Sequence, residues 1–144
     1  PRNGKKGVVK IGSKIFGEQY ILVGMYAMLI KGYTDFDVVT KTGLGGTKIC
    51  FDALMNKEID MYPEYTGTGL LVLLQPSAEI LDSIINSPAK VYAFVQGEFA
   101  KRYDLQWLEP IGFNNTYALM MRRQQAADHH ITSISDLKNY TDHE

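Results

Sequence analysis

The chain has 144 residues, which is enough to bury the core of a single domain. Its formal net charge of -1 at pH 7 lacks the basic excess of a general nucleic-acid-binding protein, so no nucleic-acid partner is expected. The single cysteine, Cys50, cannot form an internal disulfide. No apolar run approaches the roughly 20 residues that a membrane helix needs.

The first half of the sequence alternates between strand and helix patterns. A β-branched run at residues 8–11 predicts a strand, and apolar residues at helical spacing predict a helix over 18–31 that ends at Gly32. The next three predicted elements are a strand at 36–40, a helix at 47–56 and a strand at 59–62. This β-α-β-α-β order with short connections predicts an α/β fold with a parallel sheet and right-handed crossovers.

Ligands of parallel sheets bind beyond the carboxyl ends of the strands. Three predicted loops lie at those ends, at residues 12–19, 43–47 and 63–69. We therefore expect these three loops to line one crevice.

The third loop is the most informative of the three. Pro63 closes the preceding strand, and Thr66 and Thr68 are predicted to cap a helix that begins before an apolar run. A helix start attracts an anion, while the aromatic faces of Tyr62 and Tyr65 suit a cation. The combination predicts a site for a zwitterion.

The second half of the sequence is less regular. Pro88 is predicted to begin a helix, residues 116–121 read as a buried strand, and residues 124–130 are polar. Residues 133–138 predict a short capped helix.

Three chemical alternatives receive little support. The glycine-rich segment at 43–47 lies where a nucleotide loop would lie, but its spacing fits neither dinucleotide nor P-loop motifs. His129 and His130 are adjacent, so they do not share a helix face for a metal. Cys50 has no base nearby in sequence, and packing is its expected role. The sequence predicts no catalysis, metal or cofactor, although an α/β enzyme for a phosphate-bearing ligand stays an alternative.

Five segments together resemble the substrate-binding proteins of osmoprotectant ABC importers, which bind glycine betaine, carnitine or choline. These segments follow the order of that family and lie at residues 11–19, 41–47, 58–68, 115–119 and 135–137. The resemblance implies a two-lobed, type II periplasmic-binding-protein fold. Members of the family are about twice this length, so the resemblance implies an incomplete copy, in which exposed edges would favour self-association.

The resemblance also implies a division of the chain. Residues 1–7 would be a linker and residues 8–111 the N-terminal part of lobe I. Residues 112–144 would hold the strand that crosses between lobes and the start of lobe II.

Finally, the resemblance implies the ligand site. Tyr65 and Tyr117 would belong to a tyrosine cage around a quaternary ammonium group, which has no N–H to donate and must be held by cation–π contacts. Thr68 and Lys14 would contact a carboxylate. The matching loops add two further candidates, Gln19 and Thr47.

The implied function is extracytoplasmic solute capture, in the periplasm or at the cell surface with a lipid anchor or a fusion to the permease. The implied partners are a small quaternary amine or zwitterion, a membrane permease and its ATPase. A sensor, or a binding protein for another cationic or zwitterionic solute, remains an alternative.

Overall fold

The computed structural model describes Gly4 and residues 6–140. The predicted linker at 1–7 lies mostly outside the described residues. Two parallel strands form the sheet, β1 (Gly7–Lys14) and β2 (Phe36–Gly45), which pair from Gly7 opposite Phe36 onward. Helix α1 (Gly17–Tyr33) makes the crossover between them. This arrangement confirms the predicted α/β fold with a parallel sheet.

Both strands are longer than predicted. β1 continues through Ser13 to Lys14, with an irregular register between Gly12 and Lys14, so the loop expected at 12–19 shortens to the two residues before α1. β2 likewise continues to Gly45 and takes in most of the glycine-rich segment. Parallel pairing with a neighbour sustains each strand past the glycines, where local propensity alone predicts a stop.

The predicted third strand at 59–62 is reduced to a single parallel bridge between Met61 and Ile11. The Met61 carbonyl accepts the N–H of Gly12 at 2.8 Å, and the Asp60 carboxylate accepts the N–H of Lys10 at 2.6 Å. Because a side chain takes this β1 donor, a regular ladder does not continue along this edge. The segment is nevertheless held beside β1 in the predicted parallel direction.

Helix α2 (Thr47–Met55) agrees closely with its prediction, but α1 runs past the expected stop at Gly32. Thr34 ends α1 because its backbone is extended, and its N–H and hydroxyl both donate to the Ile30 carbonyl, at 3.0 and 2.6 Å. The buried side chains of α1 are Gln19, Leu22, Val23 and Ala27. The outward apolar residues Met25, Met28, Leu29 and Tyr33 line a shallow surface groove.

The short helix α3 (Thr66–Thr68) leads directly into a π-helical segment, Gly69–Leu74. The predicted caps at Thr66 and Thr68 are wrong, since the N-cap residue is Tyr65 and no side chain caps the helix. Helices α4 (Ala78–Ile84) and α5 (Pro88–Tyr103) follow. Pro88 is the first residue of α5, as predicted, and the Ser87 side chain accepts the Lys90 N–H.

Two apolar clusters hold these elements together. Ile11 packs with Val23 and Ala27 between the sheet and α1. The second cluster joins the π-helical segment to α5, and its buried members are Leu70, Leu74, Val91, Val95 and Phe99. Fully burying each such side chain contributes about 1.5–3 kcal/mol. The second cluster therefore anchors the segment that follows Tyr65.

The chain divides into two compact units, with the boundary between Glu109 and Pro110. The second unit contains α6 (Arg123–Asp128) and a 3-10 helix, Ile134–Asn139, which confirms the predicted short capped helix. The strand predicted at 116–121 is wrong, since these residues form no regular structure and Tyr117, Leu119 and Met120 are exposed. A strand needs a paired neighbour, and no described residue pairs with this segment.

Among the described residues, no helix has the length and apolar character to span a bilayer.

Replacing Gly69 with Ala is expected to destabilise the first unit by about 1–3 kcal/mol, because the core leaves no room for the added methyl group. Its Cβ would lie 2.8 Å from Cζ2 of Trp107 and 3.3 Å from Cγ1 of Val95. The matched control is Gly97→Ala inside α5, where nothing lies within 4 Å of the new Cβ. This substitution should stabilise the first unit by about 0.5–1 kcal/mol. Urea unfolding monitored by circular dichroism measures both, and equal effects would contradict the packing argument.

The carboxyl group of Asp136 is expected to titrate at about pH 2, below its usual 3.8, because the backbone N–H groups of Thr132 and Ser133 bond to the charged form. A pKa that folding lowers stabilises the 3-10 helix above about pH 4, and the contribution is lost as the pH falls toward 2. A carbon-detected NMR titration of the Asp136 carboxyl measures the midpoint. Asp136→Asn should increase amide exchange at Leu137 above pH 4 and have little effect near pH 2.

Candidate functional site

The candidate site lies where the two parallel strands end. Lys14 ends β1 opposite Gly45 of β2, and the N–H of Ile15 donates to the Gly45 carbonyl at 3.2 Å. The Ser13 hydroxyl accepts the N–H of Gly43 at 3.0 Å. These bonds bring the first two predicted loops together at the carboxyl edge of the sheet.

A buried ion pair joins this edge to the third loop. The Lys14 ammonium bonds to Oε1 of Glu64, and the two side chains are only 3% and 5% exposed. The same Glu64 oxygen accepts the backbone N–H of Tyr65 at 2.8 Å. The anion attracted to this helix start is therefore the protein's own Glu64 carboxylate.

Tyr65 is fixed by contacts at both ends of its side chain. Its hydroxyl donates to Oε1 of Glu18 at 3.0 Å, and the Lys14 Nζ lies 5.1 Å from the centre of its ring. Glu18 belongs to the first turn of α1 and is half-buried. The ring thus lies among one ammonium group and two carboxylates.

Gln19 is fully buried behind this group. Its Oε1 accepts the backbone N–H of Lys14 at 3.3 Å, so its side chain braces the end of β1. Within the described residues, the Gln19 Nε2 and the second oxygen of Glu64 are buried without a hydrogen-bond partner. Such groups normally bond to a ligand or to ordered water, so the site still offers one hydrogen-bond donor and one acceptor.

The other three predicted site residues lie outside the group formed by Lys14, Gln19 and Tyr65. Thr47 is the first residue of α2 and Thr68 the last residue of α3, and both are half-buried. Tyr117 belongs to the second unit, where its side chain is fully exposed. The structure brings together Lys14, Gln19 and Tyr65, and the ligand-binding roles of all six residues stay predictions.

Cys50 of α2 and Tyr62, the residue before the third loop, also lie near the charges of this group. Burial, and after it the negative charge of Glu64, raises the pKa of the Tyr62 hydroxyl. Burial raises the pKa of the Cys50 thiol, which keeps it protonated and unreactive, as expected for a packing residue. In the described ranges, no group of three His, Cys, Asp or Glu side chains could hold a metal ion.

Sequence reasoning missed the roles of Glu18 and Glu64. Neither residue is among the six site residues that the sequence predicts. Each missed residue directly precedes one of the predicted site residues, Gln19 and Tyr65. That adjacency is a local signal, but the hydrogen-bond partner of Glu18 lies 47 residues away and that of Glu64 lies 50 residues away.

The glycine-rich segment does not form the phosphate loop that the nucleotide alternative requires. Gly43 and Gly45 belong to β2, both with positive φ, and α2 begins only at Thr47. Ligand sites of α/β proteins lie beyond the carboxyl ends of parallel strands, and this chain places aromatic and charged side chains there.

Comparison with known proteins identifies the family. The family of substrate-binding domains of ABC-type glycine betaine transport systems matches residues 7–144. The chain is 37% identical over 131 residues to a glycine-betaine-binding protein of Pseudomonas aeruginosa, an alignment that covers 90% of this chain and 39% of that protein. It is 30% identical over 134 residues to the carnitine transport binding protein OpuCC of Listeria monocytogenes, covering 92% and 42%.

A solved structure described as a glycine betaine/carnitine/choline ABC transporter has a TM-score of 0.69 and 29% identity, covering 92% of this chain and 47% of that one. The chain therefore belongs to the family of glycine betaine-type substrate-binding domains, as the motifs predicted. It spans less than half the length of these relatives. Their names describe binding and transport, which agrees with the prediction that the chain is not an enzyme.

Removing either partner of the Lys14–Glu64 pair is expected to destabilise the first unit by about 3–5 kcal/mol, because an unpaired charge would stay buried. Glu64→Gln and Lys14→Met test the two sides in urea unfolding, and the double variant should lose less than their sum. The control is Lys48→Met, since Lys48 and Asp52 form an ion pair with side chains 81% and 51% exposed. That control should change stability by at most about 1 kcal/mol. Additive losses at Lys14 and Glu64 would show that the two groups act independently.

Proposed function

We propose that this chain forms the N-terminal part of the extracytoplasmic solute-binding component of an ABC importer, which binds a quaternary ammonium solute such as glycine betaine, carnitine or choline. The observation that carries the proposal is the electrostatic setting of Tyr65. Its hydroxyl bonds to one carboxylate and its backbone N–H to another. Family membership supports the same solute class.

A quaternary ammonium group has no N–H, so it must be recognised by aromatic faces and by charge. Glu18 and Glu64 together carry two negative charges near Tyr65, and Lys14 carries one positive charge. The net negative charge of this group favours a cation at the ring. In the proposal, Tyr65 contacts the ammonium group and Tyr117 supplies a second aromatic face of the cage.

The other end of the solute requires donors. In the proposal, Lys14, Thr68, Gln19 and Thr47 provide them for a carboxylate or hydroxyl group. The unpaired Nε2 of Gln19 supports a donor role. Since Glu64 already neutralises Lys14, a ligand carboxylate would share this ammonium with Glu64.

The remaining proposals concern the cellular setting. The solute would pass to a membrane permease driven by its ATPase, because the family belongs to ABC-type transport systems. The protein would act outside the cytoplasm, either in the periplasm or tethered at the cell surface. In the proposal, this chain is part of a two-lobed protein that captures the solute.

Isothermal titration of glycine betaine, carnitine and choline into the full native chain that contains these residues tests the proposal. Saturable binding of at least one of them is expected. Tyr65→Ala should weaken that binding by about tenfold or more, since it removes a cation–π face and an aromatic wall of the site. Tyr33→Ala is the matched control, because Tyr33 is exposed at the end of α1. The proposal fails if no quaternary amine binds.

A further inference from the structure

The hydrogen bond between Tyr65 and Glu18 has the geometry to tune the aromatic ring. The phenol oxygen lies 3.0 Å from Oε1 of Glu18, and both residues are half-buried. The bond joins the first turn of α1 to the residue immediately before α3, so it also fixes the ring between two elements. Glu18 forms no ion pair with any described basic residue.

A carboxylate that accepts the tyrosine hydroxyl increases the negative potential of the ring face. Hydrogen bonds to an ionised acceptor are about twice as strong as neutral ones, and they draw the phenol proton away from its oxygen. The oxygen and the ring then carry more negative charge, and cation–π attraction grows with the negative potential of the ring face. A neutral group of the same shape gains nothing from this charge.

The Lys14 ammonium group competes with a ligand cation for the negative potential of the Tyr65 ring, which makes the charge of Glu18 more important. The Lys14 Nζ lies 5.1 Å from the ring centre and draws on the same negative potential. Glu64 pairs with that ammonium group, which leaves the charge of Glu18 to act on the ring. Glu64 therefore bonds to Lys14 and to the Tyr65 backbone, whereas Glu18 bonds to the Tyr65 hydroxyl.

We propose that Glu18 is a positioning residue that acts through Tyr65 and makes this site prefer a cation over a neutral group of the same shape. The inference rests on the proposed function, in which Tyr65 contacts the ammonium group. It assigns to Glu18 a role in ligand selectivity that is separable from the stability of α1.

A double-mutant cycle with choline as the ligand tests the coupling. In the full native chain, Glu18→Gln removes the charge but keeps an acceptor, and Tyr65→Phe removes the hydroxyl but keeps the ring. Each single variant should weaken choline binding about three- to tenfold, and the double variant should be no weaker than about the worse single variant. Effects that multiply in the double variant would overturn the proposal.

A neutral isostere separates charge from shape. In 3,3-dimethylbutan-1-ol a carbon atom replaces the nitrogen of choline, so the two ligands differ mainly in charge. Glu18→Gln should lower the affinity ratio of choline to the isostere about three- to tenfold, whereas Glu18→Asp should keep more of it. Glu79→Gln, an exposed carboxylate in α4, is the control and should leave the ratio unchanged.

The outcomes distinguish the two proposals. Failure of the native chain to bind choline or any other quaternary amine overturns the proposed function and this inference with it. Binding of choline with an unchanged affinity in Glu18→Gln overturns the inference alone. A variant that weakens both ligands equally would assign Glu18 a purely structural role, which also overturns it.

Discussion

The arrangement of the site depends on one buried ion pair. Lys14 ends β1 and Glu64 lies 50 residues later, yet their charged groups meet with almost no exposure to water. Burying two charges is favourable only when each finds its partner and the remaining hydrogen bonds are made. Glu64 meets this requirement in part: the oxygen that pairs with Lys14 also accepts the N–H of Tyr65, whereas its second oxygen has no hydrogen-bond partner among the described residues. The bond to Tyr65 holds the aromatic residue beside the sheet edge.

The apolar core supports this pair from two sides. One cluster packs α1 against the sheet around Ile11, and the other seats the π-helical segment Gly69–Leu74 against α5. Tyr65 lies in the connection that both clusters help to hold. Its hydroxyl then reaches Glu18 at the start of α1, so packing and electrostatics place the same ring.

Much of the first unit followed from local sequence signals. The starts of α2 and α5 and the parallel order of the strands were predictable because glycine, proline and helical periodicity act within a few residues. The lengths of β1 and β2 were not, since pairing between them overrides the glycines. The strand expected at 116–121 failed for a related reason, because strand propensity needs a neighbour to pair with.

The sequence by itself determined the family and the α/β class. The order of the motifs and the alternation of strand and helix patterns can be identified from the sequence without coordinates. Only the tertiary structure decided that Lys14 pairs with Glu64 and that Tyr65 bonds to Glu18. Such partners lie about 50 residues apart, and their meeting depends on how β1, α1 and the third loop pack together, which no local pattern records.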